Sequence, residues 1–342
     1  MDLTVVPVAL GLLDPLYIAF GWFMKVLYDA MGNYGLVIIV FTIILRAVMI
    51  PLGINQQKSS IKQQALSGEI AEIQRAYPND KQKQSEMQMA LYKKHGASPL
   101  SGCLPSIIQL IIIWPIFQII RAPLRYITGV TAENLEKIGV LLQTAGWISE
   151  TDAKNAATQN IPLLNALGDH AASLAAAVNQ GLMSIGQLLD LRFLGINLGL
   201  IPSWKPAELF GAESWQTYVP LLIIPAIVLI TTVVQLRITR MTMPNRKKKA
   251  EDKEREKINP ARAGQSPEDK SESMMKSMNI IMPIFMLWTT FTMPAALGLY
   301  WIIGNIMAIL QSVLIYFLFT KKLEHARQQT SANNKEARAV KA

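Results

Sequence analysis

Five stretches of this chain are apolar and free of Asp and Glu: Tyr34–Ile54, Leu100–Ile120, Thr217–Thr239, Met278–Phe291 and Ala295–Phe319. A helix that crosses a bilayer takes about 20 such residues. All but the fourth stretch reach that length. The fourth is joined to the fifth by a minimal uncharged turn around Met293-Pro294-Ala295, so the two read as a hairpin. With 51% hydrophobic residues and a mean hydropathy of +0.26, the chain is too apolar for an ordinary soluble domain. No internal repeat is visible. The expected class is an all-α polytopic membrane protein with a five-TM core. The single cysteine, Cys103, excludes an intrachain disulfide and sits in an apolar run as a small packing residue. The opening MDLTVVPVALGLLDP lacks a positive n-region and is broken by Pro7 and Asp14-Pro15. It makes a poor signal peptide and is too short for a span.

The net charge of +9 is unevenly spread, and Lys and Arg in the flanking loops set orientation. Segment 55–99 carries Lys58, Lys62, Arg75, Lys81, Lys83, Lys93 and Lys94. Segment 240–277 centres on Arg246-Lys247-Lys248-Lys249. The tail 320–342 holds Lys321, Lys322, Arg327, Lys335, Arg338 and Lys341. These three are expected inside. Segment 1–33 has only Lys25 against Asp2, Asp14 and Asp29, and 122–216 is net acidic; both are expected outside. With their flanks the spans occupy 34–54, 100–121, 217–239, 278–293 and 294–319. The N-terminus is then outside and the C-terminus cytoplasmic.

Within 1–33, Asp14 suits a helix cap and Pro15 a first helical position. Leu16, Phe20, Phe23, Met24, Leu27 and Met31 recur at helical spacing. The helix either lies in the outer interface or packs on its own protein, and the two are compatible. Segment 55–99 is expected as a cytoplasmic helical hairpin: Gln56–Tyr77 and Lys81–His95, joined at Pro78-Asn79-Asp80 and stopped at Gly96. Ile61, Ala65, Ile73 and Tyr77 would meet Met87, Leu91 and Lys94 in a thin seam. The outer Lys and Gln faces are either simply solvated or, with Met87 and Met89, suited to varied apolar clients. Segment 240–277 mixes both signs with Pro and Gly, as a linker does. Segment 122–216 is too long for a connector. Its stretches AENLEKIGVLLQTAGWI and GDHAASLAAAVNQGLMSIGQLLDL read as two helices resting on the outer membrane face.

Arg46 lies inside the first span, and no span offers it an acid. Insertion scales put the cost of such an arginine at about 2.5–3.5 kcal/mol or more. Snorkelling to the interface is one outlet, but about 12 Å of helix separates Arg46 from Ile54 at 1.5 Å per residue. A wet internal cavity is the other. Under the topology above, Gln109, Gln235, Asn305 and Gln311 fall in the middle or inner half of their spans, with Arg46 beside them in depth. Each amide alone is commonly helix–helix glue. Together they describe a hydrophilic groove open to the cytoplasm and closed outside by apolar side chains. A channel would need a polar lining throughout, and a proton-coupled transporter an intramembrane acid.

No HExxH, paired-cysteine, phosphate-loop or GxSxG motif is present. The three histidines, His95, His170 and His325, fall in separate extramembrane segments without ligand spacing. No catalysis, metal or cofactor is expected.

The run Pro99-Leu100-Ser101-Gly102-Cys103-Leu104-Pro105 followed by Gln109, with ALYKKHGASP before it, resembles the start of the second core span of YidC-type membrane protein insertases, the family that includes the mitochondrial Oxa proteins. The arginine of FTIILRAVMIPL is similar to that family's groove arginine, and LGLYWIIGNIMAILQ to its last span. The resemblance extends from about residue 34 to 319 in matching order. It implies a five-helix core around a cytoplasm-open groove, and by position it adds Thr42 and Trp301 to the groove and client-contacting residues. Departures are the delayed proline in Gln109-Leu110-Ile111-Ile112-Ile113-Trp114-Pro115, the long 122–216, and no large extracytoplasmic domain before the first span.

The expected function is therefore that of a bacterial plasma-membrane insertase and chaperone, not an enzyme. Nascent membrane proteins would pass from the ribosome to the groove at Arg46, Thr42, Gln109, Gln235, Trp301, Asn305 and Gln311. Lys81, Lys83, Lys93, Lys94, Lys321 and Lys322 would face the ribosome or phospholipid. The Sec translocon is a further candidate partner, and no specific nucleic-acid sequence is expected. Two alternatives are a small-solute transporter or channel subunit binding an anion at Arg46, and a structural assembly subunit with no client cycle.

Overall fold

The computed structural model describes residues 7–96, 104–211, 215–242, 280–281 and 283–321, and these are mostly helical. They fall into two compact units. One comprises Met1–Leu45, Ile108–Leu229 and Met286–Gly304; the other comprises Arg46–Ile107, Ile230–Phe285 and Asn305–Ala342. Three helical stretches are long and apolar enough to cross a membrane: Tyr34–Asn55, Trp215–Met241 and Ala295–Leu318. They correspond to the first, third and fifth spans read from the sequence. The bent pair Ile161–Asp169 and Ala171–Asn179 passes the same test. The second expected span appears as the 18-residue helix Leu104–Arg121, and of the fourth the described helical parts are 280–281 and 283–290. The motif residues 99–103, the linker 243–277 and the tail from Lys322 onward lie outside the described residues.

The first unit begins with α1 (Pro7–Met31). The cap signal at Asp14-Pro15 does not start it. The apolar run upstream is already helical, so Pro15 sits inside at the cost of one backbone hydrogen bond. Leu13, Tyr17, Phe20, Met24 and Leu27 pack on the core, while Ile18, Trp22 and Val26 form an exposed apolar stripe. The packed arrangement is thus realised on one face, and a second apolar face stays open. Gly32, at φ +64°, ends α1 in the left-handed conformation that glycine adopts without strain. The Asn33 side chain then accepts from Leu36 N at 3.1 Å and opens α2 (Tyr34–Ala65).

Segment 122–216 folds into more than the two expected helices. After α5 (Leu104–Arg121) come α6 (Pro123–Tyr126), α7 (Ala132–Thr144), α8 (Glu150–Lys154), α9 (Ile161–Asp169) and α10 (Ala171–Asn179). A 3-10 turn at Ile185–Gln187 and the antiparallel pair β1 (Arg192–Phe193) and β2 (Ile196–Asn197) follow, then α11 (Pro206–Leu209) and the start of α12 (Trp215–Leu221). The expected helix over 168–191 is interrupted after α10, where Gly181 takes φ +69°. Leu135, Ile138 and Leu142 of α7 and Leu163, Leu164 and Leu167 of α9 join one buried core with Ile116, Ile119 and Ile120 of α5. Asn160 fastens it. Its amide N–H donates to Arg121 O (3.1 Å) at the end of α5, and its side chain accepts from Leu124 N (3.0 Å) at the start of α6.

The same segment reaches the last span. Ala295 N and Ala296 N open α15 (Ala295–Ile315) and donate to the carbonyls of Leu200 and Leu198, each at 2.9 Å. Helix N-termini leave such donors orphaned, and here loop 198–200 supplies the acceptors. The turn before them, after α14 (283–290), is as tight as the sequence implies.

In the second unit the remainder of α2 runs on to Ala65 as one helix. The expected arm Gln56–Tyr77 is instead divided at the buried Leu66, and α3 (Ser67–Ala76) follows. After the turn, Asp80 caps α4 (Lys81–Lys94) by accepting from Lys83 N at 2.9 Å. The seam differs from the expected one. On α4 it is formed by Gln84, Gln88 and Leu91, whereas Met87 and Lys94 are exposed. On α3, Ile70 and Ile73 are half-buried. His95 and Glu69 close the far end at 3.7 Å.

Candidate functional site

In the second unit α13 (Ile223–Met241) and α15 invert the pattern of a soluble protein. Ile230, Val233, Val234, Ile306, Leu310 and Leu314 are exposed, while Thr232 and Asn305 are buried. Apolar side chains outside and polar ones inside are what a hydrocarbon solvent selects, since a polar group there must find its partner within the protein.

The polar residues pair across these helices. Asn305 Nδ2 donates to Thr232 Oγ1 at 2.8 Å and to Thr231 Oγ1 at 3.2 Å. Gln235 Nε2 donates to Thr239 Oγ1 at 3.3 Å, and the Thr239 and Ser312 hydroxyls meet at 3.4 Å. Gln235 and Asn305, both expected from the sequence, therefore belong to one seam. Thr231, Thr232, Thr239 and Ser312 were not anticipated. The signal was present: Thr231, Gln235 and Thr239 recur every four residues on one helical face.

Gln311 faces α2. A side chain at Gly53 would collide with the Gln311 amide, so glycine at this position allows the close approach. Arg46, one helical stretch earlier on α2, is half-buried. Among the described residues no carboxylate lies within ion-pair distance of it. Its guanidinium presents five donors in a fixed fork, so an anion, a carbonyl or water can bind there without displacing a protein acid.

Three expected residues belong to the first unit. Thr42 is fully buried and donates its hydroxyl to Ile38 O of its own helix at 2.6 Å. Trp301 is buried beside Tyr300, ring centroids 5.5 Å apart, and its indole N–H has no acceptor among the described residues. Gln109 lies on α5, with its side chain outside the described set.

Of the expected basic contacts, Lys81, Lys83, Lys93 and Lys94 are exposed at the two ends of α4, with Lys83 paired to Glu86 at 3.3 Å. Lys321 is exposed, and Lys322 lies outside the described residues.

Residues 26–322 match the model of the family described as 60Kd inner membrane protein. Among curated relatives, a Caldanaerobacter subterraneus protein named membrane protein insertase YidC is 23% identical over 304 residues, covering 89% of this chain and 95% of that one. Proteins of the same name from Fusobacterium nucleatum and Campylobacter jejuni are each 38% identical, over 91 and 98 residues. Those alignments cover 27% and 29% of this chain, and 44% and 19% of the relatives.

Proposed function

The chain belongs to the 60Kd inner membrane protein family, and from that membership we propose that it is a membrane protein insertase, a carrier of other chains into the bilayer rather than an enzyme. The observation that carries the mechanism is Arg46: an arginine on an apolar helix, without an acid among the described residues, in the same unit as Gln311 and the seam of Gln235 and Asn305. A client's hydrophilic segment visits this polar ground. The guanidinium attracts its acidic groups, and water held there lowers the desolvation cost of crossing. The client's apolar segment leaves into lipid, driven by its own burial at about 25 cal/mol per Å².

In this reading five spans enclose a groove open to the cytoplasm, with the N-terminus outside and the protein in a bacterial plasma membrane. Thr42, Gln109 and Trp301 add to the client path. The exposed Lys of α4 and the basic tail draw in the ribosome or anionic lipid, and the Sec translocon is a candidate collaborator.

The test is photo-crosslinking. A photoreactive residue replaces Gln311 or Gln235, and ribosome-bound nascent membrane proteins of increasing length are presented in native vesicles. Adducts should appear at the lengths that bring the client's hydrophilic segment to the membrane. Absence of adducts at every length, in a protein that is folded and membrane-inserted, overturns the proposal.

A further inference from the structure

Around the N-terminal ends of two spans, the first unit exposes large apolar side chains that its core does not use. Trp204 is 70% exposed, Phe210 81%, Trp215 49% and Leu194 86%. Leu194 also has φ +50°, an uncommon conformation for a branched side chain, and it presents the tip of the β1–β2 hairpin to the surroundings.

Their place in the fold is fixed by the membrane helices themselves. Loop 198–200 supplies the carbonyls that accept the first N–H groups of α15. Both α11 and β2 pack against α12, the start of the Trp215–Met241 span. Trp204 and Phe210 flank the four-residue α11, and Phe210 N returns to Pro206 O at 2.8 Å, which fixes the backbone at that position. Phe210 and Trp215 are five positions apart in the chain, which limits their separation to about 18 Å even when fully extended. From Trp215 the exposed apolar line continues through Val219, Ile223 and Ile227 down the span.

We propose that residues 201–211 and Trp215, with the Leu194 tip, form a foot that rests in the headgroup region of the lipid bilayer. The occupant of this surface is lipid. The line of exposed side chains is continuous with the lipid-facing side of a span, and tryptophan beside the charged Lys205 is the composition favoured where one end of a side chain is apolar and the other wet. The foot sets the depth at which α12–α13 and α15 start.

Site-directed spin labelling tests this in the intact chain, in nanodiscs of phosphatidylglycerol and phosphatidylcholine. Cysteines replace Phe210 or Trp204 in a Cys103→Ser background, with Val140→Cys on α7 as the aqueous control, since Val140 is 59% exposed. Labels at 204 and 210 should collide with oxygen severalfold more, relative to a water-soluble nickel chelate, than the label at 140. Conservative Trp204→Phe should leave the Phe210→Cys reading unchanged. If the labels at 204 and 210 are as open to nickel as the one at 140, the foot stands in water and the proposal fails. If they are shielded from both relaxants, protein covers them, and the proposal also fails.

Discussion

Arg46 and Asn305 lie in the same unit and have opposite surroundings. Asn305 is buried with two hydroxyl partners, while Arg46 is half-buried without an acid among the described residues. Arg46 is therefore expected to act through charge. Arg46→Lys should retain much of the insertion activity, and Arg46→Ala should lose it chiefly for clients with acidic translocated segments, as measured by protease protection of those segments in vesicles. Asn305 should act through pairing. Asn305→Leu should cost about 1 kcal/mol of stability, in the range of interhelical hydrogen bonds within membranes, read by steric-trap or denaturant unfolding in detergent, with the charge preference among clients intact. The oddity of Arg46 was legible because it is a property of composition: a span without acids cannot neutralise it. The partners of Asn305 were not, since they depend on which faces of α13 and α15 meet.

At the scale of elements, the sequence reading placed the hairpin and its turn but misassigned the phase of its seam. Both arms are built from Lys, Gln, Met and a few aliphatics, so several helical faces look alike in the pattern. Packing chose the one bearing Gln84, Gln88 and Leu91. It follows that Leu91→Asp should loosen the hairpin and Met89→Asp should not, because Leu91 is 8% exposed and Met89 61%. Amide exchange across 67–94 should rise severalfold for the first substitution and stay unchanged for the second. In α1 a strong local cap signal lost to a longer apolar run. A start signal at Asp14-Pro15 is worth about 1 kcal/mol, less than the burial available to the residues around it.

For the whole molecule, the spans at 34–54, 217–239 and 295–319 were legible because twenty apolar residues need no tertiary context to be recognised. The folding of 122–216 was not, since its apolar residues acquire meaning only from α5 and from one another. The proposed topology predicts accessibility. In a Cys103→Ser background, Gln235→Cys and Gln311→Cys should react with a membrane-impermeant thiol reagent from the cytoplasmic side, and Val37→Cys, at a fully buried position, should resist it from either side. Labelling of the two glutamine positions from outside would contradict the groove. Removing 321–342 should lower ribosome co-sedimentation at low salt, with the difference vanishing as salt rises through counterion release.

The bonds from Ala295 and Ala296 to Leu200 and Leu198 also impose an order on the protein's own biogenesis. Translation delivers 198–200 roughly a hundred residues before α15 emerges. The acceptors are therefore synthesised before the two amides that they bind, and the last span completes the pairing when it docks. A lesion in the segment after β2 would strand those amides at a membrane boundary. Its effect would be a mispositioned final helix, far along the chain from the altered residue.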